Sequence, residues 1–60
     1  MGRVWSRVVA TAADYVARGA VLNEAEARSI VLSICGEEIG GEPDQSIVTY
    51  LAYALARRTR

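Results

Sequence analysis

Ile47-Val48-Thr49-Tyr50-Leu51-Ala52-Tyr53-Ala54-Leu55-Ala56 decides how this chain is read: nine of the ten residues are apolar, and only Thr49 interrupts them. A helix that is apolar on every side must be covered on every side, by a large core or by other chains. Sixty residues cannot supply a large core. The segment therefore predicts a helix that packs on its own neighbours and on something else as well.

Working outward, Gly40-Gly41-Glu42-Pro43-Asp44 is a turn by composition. Pro43 suits the first position of a helix, where its missing N–H has no partner to lose. The third helix is thus expected over about 43–58, with Arg57, Arg58 and Arg60 complementing its C-terminal dipole. Ile47, Leu51, Ala54 and Leu55 form the expected inward stripe. Val48, Ala52 and Ala56 form a second stripe of mostly small residues. Tyr50 and Tyr53 lie on a third face, with Arg57 four residues beyond Tyr53.

Upstream, Asn23-Glu24-Ala25-Glu26 reads as an N-cap with a capping-box acid at the third helical position. Leu22 is placed to staple against Ala27. This second helix is expected over 23–38, with Ala27, Ile30, Val31 and Ile34 as its main stripe and Leu32, Cys35 and Ile39 beside it. The first helix, 3–18, repeats Trp5, Val8, Val9, Ala12, Tyr15 and Val16 at helical spacing. Asp14 precedes Arg18 by four residues, the favourable order for an ion pair, and Gly19 is placed as a left-handed cap. The expected fold is all-α: one helical domain over 1–60, a small three-helix bundle completed by homodimerisation through the third helix.

Composition narrows the function. Seven arginines balance seven acids, with no lysine and no histidine, so no net charge draws the chain to nucleic acid or anionic membrane. Without histidine no Ser-His or Cys-His pair can form. Cys35, the single cysteine, reads as a buried structural thiol. No enzymatic activity, cofactor or metal is expected. Glu37, Glu38, Glu42 and Asp44 read as a solvated acidic loop, since their spacing matches no calcium loop. No apolar run reaches membrane-spanning length, and a cytoplasmic protein with no membrane partner is expected. Met1 to Ser6 fits the short myristoylation pattern, which arises readily by chance.

A core of this size rarely holds more than about 3–5 kcal/mol without disulfides, metal or oligomerisation, and only the last remains open. The partner-binding candidates are Tyr50, Tyr53, Arg57, Val48 and Leu32, facing a second copy or another protein. The function expected is that of a non-enzymatic interaction module, a regulator, inhibitor or assembly factor of bacterial or phage type.

A dimeric DNA-binding regulator is the competing class. The second and third helices loosely resemble a helix-turn-helix, with Gly36 and Gly40 at a suitable spacing and Ile47 and Leu51 as anchors. Gln45, Ser46 and Thr49 would then read bases, with Arg57 and Arg58 on the backbone. Glu42 and Asp44, at the end that meets DNA, would repel phosphate. A structural subunit of a larger assembly is the third class. Ser33-Ile34-Cys35-Gly36-Glu37 resembles five residues of the inhibitory helix of antitoxins that block Fic-type AMP-transferases. Glu38 stands where that motif has Gly or Asn, and the fragment assigns no family.

Overall fold

A computed structural model describes residues 2–41 and 43–60 of the chain. Its described secondary structure is helical: α1 (Gly2–Ala17), α2 (Glu24–Glu38) and α3 (Gln45–Arg58). Buried residues of all three form one core cluster. α3 packs on both other helices, more extensively on α2. The three-helix bundle expected from the sequence is what forms.

The helix ends follow local chemistry. Gly19 adopts φ +71, and the Gly19 and Ala20 N–H groups donate to the Val16 and Tyr15 carbonyls at 3.0 and 2.9 Å. This paired closure is a Schellman cap, which needs the left-handed conformation that glycine takes without strain. At the start of α2 the Glu26 N–H donates to Asn23 Oδ1 at 2.8 Å, and the Asn23 N–H donates to Glu26 Oε1 at 3.1 Å. The expected capping box is complete. Leu22 and Ala27, the expected staple pair, are both buried in the core.

α3 starts later than the proline suggests. Asp44, not the residue before Pro43, is the N-cap, and its carboxylate accepts from the Ser46 N–H at 2.8 Å and the Ser46 hydroxyl at 2.7 Å. A carboxylate satisfies an orphan amide that proline at the first helical position leaves untouched, so the cap moves to Asp44. These two hydrogen bonds, the hydroxyl's first, hold the Asp44 carboxyl below its ordinary pKa. That contribution is present at neutral pH and fades as pH falls through the lowered value.

The buried stripes differ in rotation from those expected. α3 buries Val48, Leu51, Ala52, Leu55 and Ala56, merging parts of the two expected stripes into one broad arc. Ile47 is 38% exposed and Ala54 half-buried. The alanines explain the shift: Ala52 and Ala56 let a neighbouring helix approach closely, which turns Val48 inward and Ile47 out. In α1 the line Val4, Val8 and Ala12 is buried, Trp5 and Tyr15 pack at its edges, and Val16 is exposed. In α2 Ala27, Val31, Ile34 and Cys35 are buried, whereas Leu32 and Ile39 are exposed. The Cys35 thiol is fully enclosed, as expected of a structural cysteine.

Polar contacts tie the helices together at both ends of the bundle. Thr59, the C-cap of α3 and 5% exposed, accepts from the Leu22 N–H at 3.0 Å and donates to the Ala56 carbonyl at 2.8 Å. At the other end of the bundle Arg7 pairs with Glu37 and Glu38, the latter at 3.2 Å, and Arg3 reaches Glu38 at 3.8 Å. Two carboxylates at the negative end of α2 are unfavourable alone, and the α1 guanidiniums offset them. The hydrogen bond to Glu37 is the main cause that raises the Arg7 pKa. The acidic loop read from sequence thus divides. Glu37 and Glu38 belong to a helix and are paired, Asp44 is a cap, and Glu42 lies outside the described residues.

Candidate protein-interaction surface

The face of α3 opposite the core carries Tyr50, Tyr53 and Arg57, one helical turn apart. Tyr50 is 61% exposed and Tyr53 48%. With Trp5 of α1, Ala54 and Arg58 they line an open groove of about 260 Å³. Arg58 lies over the Trp5 ring, 5.2 Å from its centroid. A cation on an aromatic face contributes roughly 0.5–1 kcal/mol at exposed sites, enough to hold that indole against the end of α3. Trp5, half-buried and packed against the edge of the core, also forms the groove's wall.

Three of the five partner-binding candidates are therefore together: Tyr50, Tyr53 and Arg57. The other two are elsewhere. Val48 is 0% exposed; it is a core residue in this structure, and the expectation that it faces a partner is corrected by the inward turn of α3 just described. Leu32 is 41% exposed on α2, outside the aromatic groove. The sequence reading missed the contributions of Trp5 and Arg58, because nothing in their spacing announces that α1 and the end of α3 meet.

Gln45, Ser46 and Thr49, assigned to base contact in the alternative reading, are engaged within the fold. Arg28 of α2 donates to Thr49 Oγ1 at 3.2 Å and to Gln45 Oε1, and Ser46 is held by the Asp44 carboxylate. Arg57 and Arg58 are the last two residues of the same helix, at the end away from Gln45 and Ser46. The connection between α2 and α3, 39–44, is longer than the three or four residues of a helix-turn-helix.

Two further grooves are less aromatic. One, about 340 Å³, is lined by Arg3, Val4, Glu38, Ile39 and Ile47. The other, about 440 Å³, lies beside the α2 cap and Arg60. Among the described residues no three His, Cys, Asp or Glu side chains converge as metal ligands, and no helix is long and apolar enough to cross a membrane. The chain matches no protein-family model, no curated protein and no solved structure.

Proposed function

We propose that this chain is a small non-enzymatic interaction module whose outward α3 face docks on another protein chain, in the first instance a second copy of itself. The observation that carries the reading is the make-up of that face: one tryptophan, two exposed tyrosines and two arginines around one groove. Those three residue types dominate binding hot spots, because they bury large area with few rotatable bonds or donate several directed hydrogen bonds. Solvent exposure of Tyr50 and Tyr53 has no return in folding stability, whereas burial against a partner does. A regulator, inhibitor or assembly factor fits such a module, acting by occupying a surface.

The test is molar mass in solution against concentration. Sedimentation of the chain from about 1 µM to 1 mM, a range bracketing weak to moderate association, is expected to show a reversible dimer. Tyr53→Glu places a charge in the contact and is expected to leave a monomer. A wild-type chain that stays monomeric at the highest concentration, or a Tyr53→Glu variant that associates as before, removes this reading.

A further inference from the structure

We propose that the groove between α1 and α3 receives an acidic segment of a different protein, with one bulky apolar side chain over Ala54 and carboxylates on Arg57 and Arg58. The proposal rests on the outward side of α3 being a docking surface and adds the chemistry of what docks there. It does not require self-association.

The shape of the groove follows from one alanine. Tyr50, Ala54 and Arg58 succeed one another at one-turn spacing along α3, Tyr53 and Arg57 form the next row, and Trp5 of α1 adds the remaining wall. A lone methyl group among aromatic rings and long arginine side chains leaves an open hollow of about 260 Å³. That is smaller than the roughly 300–1,000 Å³ of cofactor and small-molecule sites. A single large side chain carried on a neighbouring backbone fills it, which is how a partner helix lays its apolar face into a groove.

Charge decides what accompanies that side chain. The chain is neutral as a whole, yet its ion pairs are unevenly placed. Arg3, Arg7 and Arg18 pair with Glu37, Glu38 and Asp14, whereas Arg57 and Arg58 have no carboxylate in ion-pair range among the described residues. The negative end of the α3 macrodipole offsets only about half an elementary charge, against two guanidiniums. Covering this end with a purely apolar partner would strand both charges. A second copy has little to match them, because Asp14, Glu37 and Glu38 are already paired and the Glu26 and Asp44 carboxylates cap helices. Carboxylates of a different protein match them, in the forked geometry that arginine favours. Nucleic acid would also meet rings and arginines here, but two cations on a neutral chain release few counterions.

Selection from a random-peptide phage library on the immobilised wild-type chain reads the occupant's chemistry directly. Enriched peptides are expected to carry a bulky apolar residue with Asp or Glu within one helical turn of it. A synthetic peptide of the enriched sequence is expected to change the emission of Trp5, the chain's single tryptophan, and to bind more weakly as salt is raised. Arg57→Gln, at an exposed position, is expected to weaken that peptide about threefold, within the range of exposed ion pairs. Ala54→Leu fills the hollow at little cost in helix propensity and is expected to abolish binding. Circular dichroism checks that both variants fold, and Arg57→Gln decides if Ala54→Leu does not. No enrichment, enriched peptides without acidic residues, or a peptide indifferent to both substitutions overturns the proposal. Tighter binding of a short oligothymidylate than of the selected peptide overturns it in favour of nucleic acid. Sedimentation separates this proposal from the earlier reading. A chain that dimerises but selects no acidic peptide keeps self-association alone, and a monomer that binds the peptide keeps this proposal alone.

Discussion

The two sides of α3 are built from similar residues and do different work. On the inner side Val48, Leu51, Ala52, Leu55 and Ala56 are buried, and the small alanines let the neighbouring helices come close. On the outer side Ile47, Tyr50, Tyr53 and Ala54 also continue the apolar run, yet the first three stay exposed. A simple count of apolar residues does not separate the two sides. Shape does: alanine and valine permit close helix approach, whereas tyrosine's long ring and hydroxyl favour an edge that is wet until a partner covers it. The apolar residues of α3 therefore divide into a side that serves the fold and a side that stays exposed.

Leu51→Ala breaks the inner side most severely. Leu51 is fully enclosed, and truncating a buried leucine costs about 2–5 kcal/mol through lost burial and the cavity left behind. In a domain of this size that is comparable with the whole stability. Urea or thermal denaturation followed by far-UV circular dichroism is expected to show a largely unfolded chain at 25 °C. A folded variant with an unchanged midpoint would mean that α3 is held mainly by its outer side.

The inner side ends in a polar contact, and Thr59→Val tests it. Valine keeps the volume but loses the hydroxyl that accepts from the Leu22 N–H and donates to the Ala56 carbonyl. The buried Leu22 amide is left without its acceptor, at about 1–3 kcal/mol. A lower denaturation midpoint is expected, with faster hydrogen exchange at Leu22 than in the rest of the core. Unaltered exchange at that amide would show that the Thr59 hydroxyl is dispensable there.

How far the sequence reached follows from the range of the interactions concerned. The caps at Gly19 and Asn23 were legible because their hydrogen bonds span three to five residues, and the three helices followed from them and from the apolar periodicity. The tyrosine–arginine face was legible for the same reason, since Tyr50, Tyr53 and Arg57 share a face by helical spacing alone. The rotation of each helix was not. Whether Ile47 or Val48 turns inward depends on how closely a neighbour approaches Ala52 and Ala56, which is a property of the assembled bundle. Trp5 on Arg58, Thr59 on Leu22 and Arg28 on Gln45 and Thr49 join residues far apart in the chain and leave no local pattern. Pro43 misled for a simpler reason: two plausible starts competed, and Asp44 had the stronger hydrogen bonds.

Asn23→Ala sharpens the comparison at the point where the inter-helix loop meets α3. It removes the side-chain half of the capping box, and the typical cost is about 1 kcal/mol. Because Leu22, the preceding residue, is tied to Thr59, fraying at the start of α2 is expected to loosen that contact too. The Thr59→Val and Asn23→Ala effects are then expected to be less than additive in the double variant, since the two share a short segment of backbone. Strict additivity would mean that the cap and the clamp act on separate elements.

The smallest effect on folding is expected from Tyr53→Glu, and its smallness is the point. Tyr53 is half exposed on the outer side, so in solution too dilute for the proposed association its replacement is expected to shift stability by no more than about 0.5 kcal/mol. At high concentration the same substitution is expected to abolish the proposed dimer, and with it the part of the melting temperature that rises with concentration. The difference between Leu51→Ala and Tyr53→Glu then becomes a difference in kind. The first lowers stability at every concentration, and the second only where two copies meet. Should Tyr53→Glu unfold the dilute monomer as thoroughly as Leu51→Ala, both sides of α3 would be serving the fold, and no apolar surface would remain for a partner.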